Sequence, residues 1–318
     1  MNISFTRVPH IGLAISLAIA VFIGARFYTD KEPYTFDHVE LNRVHPDLPP
    51  QTEWLNMGYW AETTSFPEAC RALALELLKQ ADLQPHGHHL EVAYGSGDSL
   101  LLVLDPASAY PVQDSLSGLT SLASHAQRAT DRIDQARSDG LVNAATKVNI
   151  VQADAIWRPA STTVQISDSL AHPLNPERSR EIYTSISCLD AAYHFENREQ
   201  FLEQAFNALR PHGTLALADN LAGSSVGSRH TLDFFLWLLS VPKENIIPPA
   251  MLANMMRNQG FVNVEITDIT HHVFPGFAKF LKARGGGWWV AGSVVGWWAD
   301  SGLLEFVIVK AKKPVSTV

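Results

Sequence analysis

The segment LEVAYGSGDSLLLV, residues 90–103, places the acid Glu91 close to two glycines in a largely apolar run. Glu91 lies where a buried strand is expected to be apolar, and Gly95 and Gly97 allow a ligand to approach the backbone closely. A buried strand that passes through a glycine turn into a helix is typical of nucleotide-binding folds. The segment therefore predicts a ligand site, and a turn in which Glu91 is purely structural is the alternative.

The spacing of the glycines does not fit the two best-known nucleotide motifs. A dinucleotide fingerprint needs a third glycine, but counting from Gly95 puts Leu100 there, and counting from Ala93 loses the first glycine. A P-loop needs Gly-Lys-Ser or Gly-Lys-Thr after the turn, which this segment lacks. A nicotinamide-dependent oxidoreductase is therefore disfavoured, and the pattern that remains is acid-x-Ala-x-Gly-x-Gly.

Strands and helices alternate along the chain after residue 65. Hydrophobic patterning predicts strands over residues 90–93, 116–119, 147–152, 182–188, 214–218, 262–269 and 304–309. It predicts the main intervening helices over residues 98–104, 125–137, 198–209 and 251–259. Such alternation indicates a doubly wound, Rossmann-like α/β sheet of seven strands, which binds ligands at the carboxyl ends of its strands.

The N-terminus has a different character, because residues 11–25 carry no charge and are flanked by Arg7 and Arg26. We interpret residues 1–28 as an N-terminal hydrophobic helix that acts as an anchor or targeting segment, with residues 8–28 in the membrane. A cleaved targeting segment and a helix of a soluble domain are the alternatives. The expected location is a membrane facing a reducing compartment, with the cytosolic face of the endoplasmic reticulum favoured over the mitochondrion.

The rest of the chain divides into an arm and one large domain. Residues 29–64 are rich in proline and are interpreted as a linker and an arm that covers the ligand, and residues 65–318 as the main domain. Insertions are expected at about 158–180, which is polar, and at about 271–300, which contains two tryptophan pairs. These tryptophans would cover an apolar acceptor pocket, lie at a membrane interface or fill the core.

Composition narrows the classes of partner. The net charge is −8 and no run of Lys or Arg is present, so nucleic acid is a poor partner on electrostatic grounds. Cys70 and Cys188 lie in apolar stretches and are expected to be reduced core residues. The spacing of Cys and His predicts no metal site.

Four further motifs accompany the glycine turn in the same order along the chain: LNMGYW at 55–60, QADA at 152–155, LDAAYHF at 189–195 and LRPHGTLALAD at 209–219. Together with the turn they resemble the motifs of class I S-adenosylmethionine-dependent methyltransferases. The small-molecule subgroup, which includes sugar O-methyltransferases and tocopherol-type methyltransferases, is the most similar. The resemblance covers roughly residues 54–222.

The resemblance implies that the cofactor is S-adenosyl-L-methionine. It also implies that the cofactor binds at the glycine turn between the first predicted strand and the helix that follows it. In this family the acid at Glu91 receives the amino group of the methionine moiety, directly or through water. The cofactor-binding residues it implies are Tyr59, Trp60, Glu91, Ala93, Gly95, Gly97, Thr120, Ser121, Asp154, Ala155 and Leu189.

One position departs from the family pattern in a way that affects the cofactor. Most members have an acid that binds both ribose hydroxyls at the end of the second strand, where this chain has Thr120 followed by Ser121. A neutral hydroxyl forms weaker hydrogen bonds than an anion. Cofactor affinity is therefore expected to be modest.

The resemblance also implies two catalytic residues. His194 follows the fourth strand, and histidine ordinarily exchanges its proton near neutral pH, which suits a general base for a hydroxyl acceptor. Asp219 ends the fifth strand and is expected to orient the imidazole or bind the acceptor, since the matching His and Asp act as a pair in sugar O-methyltransferases.

We therefore expect a membrane-anchored methyltransferase that acts on a small, lipophilic acceptor, with O-methylation preferred over C-methylation. The alternative is a non-catalytic, methyltransferase-like scaffold or assembly factor at a membrane. Thr120, Ala93 and the polar insertion favour that alternative, because each departs from the pattern of an active enzyme.

Overall fold

The structure is a computed structural model that describes residues 36–159, 171–224, 232–233, 236–237 and 241–315. Its strands are β1 (His88–Val92), β2 (Ser115–Thr120), β3 (Lys147–Gln152), β4 (Tyr183–Leu189), β5 (Leu209–Ala222), β6 (Val262–Asp268) and β7 (Leu304–Lys312). Its helices are α1 (Phe36–Glu40), α2 (Phe66–Ala81), α3 (Asp98–Leu104), α4 (Ala123–Ser138), α5 (Arg198–Ala208), α6 (Pro249–Asn258), α7 (Thr270–Arg284) and α8 (Gly286–Ser301). Two 3-10 turns complete the order, at Ala192–His194 and Lys243–Asn245.

The strands form one seven-stranded sheet in the order β3-β2-β1-β4-β5-β7-β6. The pairs from β3 to β5 are parallel, and β7 runs antiparallel to both β5 and β6. The predicted Rossmann-like sheet is therefore confirmed, with one reversed strand. Because the order changes direction between β1 and β4, their carboxyl ends border a crevice in which such folds bind ligands.

The central strands are buried along most of their length because helices cover both faces of the sheet. Leu90, Leu116 and Ile186 are fully buried in three neighbouring strands. Glu91 in β1 and Asp219 in β5 are the acids buried within these strands. The sheet therefore carries ionisable groups into a buried layer that also holds serines and a histidine.

The region predicted as an insertion at 271–300 forms most of α7 and α8. These helices pack closely at Gly292, where an added Cβ atom would lie only 2.7 Å from the carbonyl oxygen of Ala278. The absence of a side chain at Gly292 therefore permits the close approach. Since β6 runs parallel to β5 and β7 runs back, the α7–α8 pair leaves and re-enters the sheet at the edge where the parallel strands end. We call residues 270–301 the aromatic hairpin.

Two predicted segments lie wholly or partly outside the described residues. The N-terminal hydrophobic helix predicted at 8–28 lies wholly outside them. The polar insertion predicted at 158–180 lies partly outside them, at residues 160–170. Within the ranges given above, no helix has the length and apolar character needed to cross a membrane.

We predict that Leu100→Ala destabilises the protein by about 2–5 kcal/mol, because it removes a fully buried side chain of α3 and leaves a cavity. Urea unfolding followed by circular dichroism measures the change. Leu141→Ala is the matched control, since Leu141 is 63% exposed. Equal losses in the two variants would show that α3 is not part of the cooperative core.

Candidate active site

A cavity of about 440 Å³ lies at the carboxyl ends of β1, β2 and β4, within the range for small-molecule sites. The predicted residues that line it are Ala93, Gly95, Thr120, Ser121, Asp154, Ala155, Leu189 and His194. Residues that the sequence analysis did not assign also line it, among them Glu53, Asn56, Tyr94, Asp98, Ser99, His125 and Asp190. The structure therefore brings together most of the motifs that are far apart in sequence.

The glycine turn has the backbone conformation that its composition suggests. Ala93, Gly95 and Gly97 all have positive φ angles, of 60°, 61° and 93°. Gly97 precedes the first residue of α3, and a Cβ there would lie 2.9 Å from the Cβ of Ala129. Gly97 therefore lets α4 approach the turn, although it is not itself among the described residues that line the cavity.

Glu91 lies behind this turn and is only 1% exposed. It does not contribute to the described cavity wall. Burial raises the pKa of its carboxyl group from 4.5 to about 7, and a hydrogen bond with Ser99 partly opposes this rise. Its Oε2 atom has no hydrogen-bond partner among the described residues. A buried acceptor in this state favours a positively charged group or a bridging water nearby.

An arm formed by residues 53–57 crosses the cavity and is held at both ends by carboxylates. The backbone N–H of Glu53 donates to Asp98 Oδ2 at 3.1 Å, and that of Met57 donates to Asp190 Oδ2 at 2.9 Å. Between them, Asn42 hydrogen-bonds both the N–H and the carbonyl of Trp54. The predicted covering role of the 29–64 region is consistent with this position.

A charged network fixes the start of α3 beneath the arm. Arg132 donates to both carboxylate oxygens of Asp98, each at 2.7 Å, and to the carbonyl of Ser96 at 2.8 Å. Glu53 on the arm forms an ion pair with Arg128 on α4. Bidentate pairs of this kind restrain geometry as well as adding energy. The network therefore joins the arm, the glycine turn and α4.

The ends of β2 and β3 supply the polar side of the cavity. Thr120 is the last residue of β2, and its hydroxyl accepts a hydrogen bond from the N–H of Leu122 at 3.4 Å. Asp154 accepts from the N–H of Ile156 at 2.8 Å and lies 3.5 Å from Arg158. Thr120 thus occupies the place expected of the ribose-binding acid.

The segment after β4 carries His194 and a second carboxylate. His194 ends the 3-10 turn, is exposed, and lines the cavity. Asp190 is half-buried and has a positive φ of 55°. The pKa of its carboxyl group rises to about 8, first because of desolvation and then because Asp219 is close, while hydrogen bonds with the N–H of Met57 and with Tyr193 oppose the rise. Its Oδ1 atom has no hydrogen-bond partner among the described residues. Asp190 is therefore a second buried acceptor at the cavity.

Asp219 is fully buried, and it is not among the described residues that line the cavity. Its Oδ2 lies 3.0 Å from Arg198 Nη2 in an ion pair, and Arg198 is itself buried. Its Oδ1 accepts a hydrogen bond from the N–H of Tyr193 at 3.0 Å. Through this bond Asp219 holds the backbone of the turn that carries His194.

Tyr59 and Trp60 lie outside the cavity wall that the described residues form. The N–H of Trp60 donates to the carbonyl of His272 at 2.7 Å, and its ring packs against Phe277 and Phe280 of α7. The ring of Tyr59 packs against that of His272 with centroids 4.7 Å apart. The structure therefore places both residues between the arm and the aromatic hairpin.

Sequence reasoning missed Asp98 and Asp190 for different reasons. Asp98 directly follows the glycine turn, and an acid in the first turn of a helix is usually a capping residue. Asp190 lies within the LDAAYHF motif, but only its neighbour Leu189 was assigned to the cofactor. The positive φ angle and the hydrogen bond to the arm that distinguish Asp190 are tertiary features.

No group of three or more His, Cys, Asp or Glu side chains within the described ranges is arranged to hold a metal ion. Cys70 and Cys188 are both buried and free, as predicted.

Comparison with known proteins bears on the class that this fold and cavity define. A family model described as a methyltransferase domain matches residues 59–266. The erythromycin 3''-O-methyltransferase of Saccharopolyspora erythraea is 24% identical over 228 residues, which cover 69% of this chain and 65% of that protein. The match thus spans less than two thirds of that relative's length.

Solved structures resemble the fold at low sequence identity. The cyclase SpnF has a TM-score of 0.60 at 19% identity, with 82% of this chain and 89% of that chain covered. A geranyl diphosphate C-methyltransferase from Streptomyces coelicolor A3(2) has a TM-score of 0.61 at 12% identity, with 91% and 96% covered. At such identities the likeness establishes the fold alone.

The chain belongs to the methyltransferase domain family, because the family model covers more than half of its residues. The class I methyltransferase predicted from the sequence motifs is therefore confirmed, and with it S-adenosyl-L-methionine as the cofactor of the family.

We predict that the raised pKa of Glu91 makes folding less favourable as pH rises from about 4.5 to about 7. In this window the unfolded chain has released the proton while the folded chain retains it. Relative to wild type, Glu91→Gln should therefore gain stability across the window, by about 3 kcal/mol at most. Urea unfolding at the two ends of the window measures the difference.

The same substitution at the exposed Glu177 controls for the change in charge. A difference between wild type and Glu91→Gln that stays constant with pH would show that Glu91 is not desolvated as the structure indicates.

Proposed function

We propose that this chain transfers a methyl group from S-adenosylmethionine to a small, lipophilic acceptor. The observation that carries the proposal is the buried Glu91, which lies directly behind a glycine turn at the carboxyl edge of the sheet and whose Oε2 has no hydrogen-bond partner among the described residues. A structural acid in the core would be expected to have all its oxygens paired. An orphaned oxygen at this position suits a cationic ligand group.

The residues at the cavity fit the cofactor in charge and in shape. Glu91 and Asp190 each have one buried oxygen that finds no hydrogen-bond partner within the described ranges, which suits the ammonium group of a methionine moiety, directly or through water. Thr120 and Ser121 offer hydroxyls to the ribose. Asp154 and Ala155 lie where the resemblance places the adenine.

When bound, S-adenosylmethionine supplies a methyl group on a positively charged sulfur. The arm at residues 53–57 excludes water from one side of the cavity. The carboxylates of Asp98 and Asp190 hold the arm in this position through its N–H groups. Alignment of the acceptor with the methyl group is the main contribution that the protein makes to such a transfer.

His194 is the proposed general base for a hydroxyl acceptor, because it is the histidine next to the β4 carboxyl end and it lines the cavity. Asp219 and Arg198 position it indirectly, since Asp219 binds the backbone of Tyr193. The role of Asp219 proposed here is therefore to position the turn. Direct pairing of the His194 and Asp219 side chains, which the resemblance implies, is a separate proposal.

The comparisons support both acceptor chemistries by name only. One relative is called an O-methyltransferase and one structural neighbour is called a C-methyltransferase. The presence of a histidine at the cavity wall favours oxygen, because a hydroxyl must lose its proton during the transfer. O-methylation is therefore the preferred proposal.

Attachment to a membrane through residues 8–28 is also a proposal, and so is a location at the cytosolic face of the endoplasmic reticulum. The support is the absence of charge over residues 11–25 between Arg7 and Arg26. The alternative of a non-catalytic scaffold rests on the neutral Thr120 at the end of β2, and it is not favoured, because the methyltransferase family model and the methyltransferase relative support an enzyme.

We predict that the full-length protein binds S-adenosylmethionine and not NADH in isothermal titration calorimetry. Glu91→Gln should weaken this binding by at least about tenfold, since a buried partner of an ionised group contributes more than 1.4 kcal/mol. Wild-type affinity should also fall as pH falls through about 7, because Glu91 becomes protonated. Glu91→Gln should show a smaller dependence on pH.

Glu177→Gln is again the matched control and should bind as wild type does. Absence of binding to S-adenosylmethionine and to its demethylated product would favour the scaffold.

We predict that His194→Gln lowers kcat for a hydroxyl acceptor by about 10²–10⁴-fold and leaves cofactor affinity within about twofold of wild type. The measurement is transfer of a labelled methyl group to a panel of lipophilic alcohols and phenols. His86→Gln is the control, because His86 is exposed at the start of β1, away from the carboxyl edge. An unchanged kcat in His194→Gln would argue for a carbon acceptor or another base.

A further inference from the structure

The helix α8 has an unusual composition for a helix at the surface. Its sixteen residues are GGWWVAGSVVGWWADS, with four tryptophans and no charge before Asp300. Of these residues only Gly292, Val295 and Trp298 are buried. Trp289 is 51% exposed, and Trp288, Val294 and Trp297 are half-buried. The outer side of α8 therefore exposes Trp289 and parts of Trp288, Val294 and Trp297 as an apolar surface, and the remaining surface of the latter three packs against the core.

Lys279 and Lys282 of α7 lie beside Gly296 of α8, in a groove that Asp300 also lines. Residues 270–301 contain Lys279, Lys282 and Arg284 and a single acid, Asp300, in a chain whose net charge is −8. All three cations are exposed on α7. The hairpin thus has the opposite charge balance to the chain as a whole. An apolar face with tryptophan and a Lys/Arg border is the pattern of a helix that lies in an anionic membrane interface.

The length of α8 fits this orientation. Sixteen residues extend about 24 Å, whereas the hydrocarbon core of a bilayer is about 30 Å thick. Tryptophan prefers the headgroup level, where its ring is in an apolar layer and its N–H remains in a polar one. An orientation along the membrane surface would satisfy both preferences.

The start of the described chain packs against the aromatic hairpin. The described chain begins at α1, and the ring of His38 meets the ring of Trp288 edge to face with centroids 5.6 Å apart. Arg284 donates a hydrogen bond to the carbonyl of Leu41 at 3.1 Å. The uncharged residues 11–25 therefore precede a helix that is attached to the start of α8.

We propose that the aromatic hairpin docks on an anionic bilayer surface, with α8 in the headgroup layer. The hairpin leaves the sheet at the carboxyl edge, and the rings of Trp60 and Phe280 connect it to the arm that crosses the cavity. A docked hairpin therefore orients the cavity towards the membrane. A lipophilic acceptor would reach the site from the bilayer without crossing water.

The route of the acceptor rests on the proposed function, whereas docking itself is measured without methyl transfer. The test uses the full-length protein with vesicles of phosphatidylcholine, alone or mixed with phosphatidylserine. Binding is followed by flotation, and contact of the tryptophans with lipid by quenching with brominated phosphatidylcholine. Docking predicts stronger binding to the anionic vesicles, weakened by added salt, together with quenching.

Two double variants separate the hairpin from the N-terminal segment. Trp288→Ser with Trp289→Ser should remove most of the quenching, and Lys279→Glu with Lys282→Glu should weaken binding to anionic vesicles by at least about tenfold. The matched controls are Trp237→Ser, at a site 67% exposed outside the hairpin, and Lys147→Glu, at an exposed site on β3. Both controls should bind as wild type does.

Several results would overturn the proposal. One is vesicle binding in which neither double variant differs from its control, since the N-terminal segment would then be sufficient. Another is a dimer, seen by analytical ultracentrifugation, that the Trp288/Trp289 variant disrupts while lipid quenching is absent; a second copy would then cover the face. A third is protection of the hairpin tryptophans from acrylamide before lipid is added, with no lipid quenching afterwards.

Binding of S-adenosylmethionine is measured in parallel, and each variant should retain it if the fold is intact. Docking without cofactor binding in wild type would refute the proposed function and leave the docking surface standing. Cofactor binding without docking would do the reverse.

Discussion

Desolvation of carboxyl groups is the interaction on which the organisation of this site depends. Glu91 and Asp219 are buried and Asp190 is half-buried at one edge of the sheet, and desolvation is the main cause of the raised pKa of each. Asp219 forms an ion pair with Arg198, whereas one oxygen of Glu91 and one of Asp190 have no hydrogen-bond partner among the described residues. Isolated buried charges are costly. The described part of the chain therefore leaves acceptors at this edge without donors, which is the state expected of a binding site for a cation.

The elements around these carboxyl groups supply hydrogen-bonding groups to the cavity and cover it. The glycine turn and α3 bring backbone and hydroxyl groups to the cavity, and the arm covers it with its own N–H groups as donors. Behind the arm, Trp60 packs on α7, which connects the covered cavity to the aromatic hairpin. One continuous set of contacts therefore runs from the buried acids to the apolar surface of α8. Cofactor and acceptor would enter this set from different sides.

The sheet could be predicted from the sequence because buried parallel strands are short apolar runs between helices. The fifth strand was predicted at 214–218 but extends over Leu209–Ala222, because its polar end at Asp219 and Asn220 is buried and paired with β7. The helices α7 and α8 were not recognised, since Gly and Trp occupy eight of the sixteen positions of α8 and obscure any polar face. The N-terminal helix at 8–28 and residues 160–170 of the polar insertion lie outside the described residues.

Some of the cavity residues could likewise be predicted from sequence motifs, whereas others are revealed only by the fold. Ala93, Gly95 and His194 could be assigned because motif residues at strand ends meet at one edge. Tyr59 and Trp60 belong to a motif that is continuous with the arm, yet the chain turns towards α7 just before them, which sequence adjacency does not reveal. Asp98 and Asp190 act through hydrogen bonds to residues 45 and 133 positions away. Such contacts exist only once the chain has folded.

The attachment of the arm has a consequence for how the sequence can vary. Both carboxylates bind main-chain N–H groups, at Glu53 and Met57, which every amino acid except proline possesses. These two hydrogen bonds are thus independent of the side chains that the arm carries, although Glu53 also pairs with Arg128, and Trp54 and Asn56 are buried. Leu55, which is half-buried at the cavity, is a position where the arm can vary in size and polarity and so reshape the roof of the cavity for new acceptors, while the two attachment points stay the same.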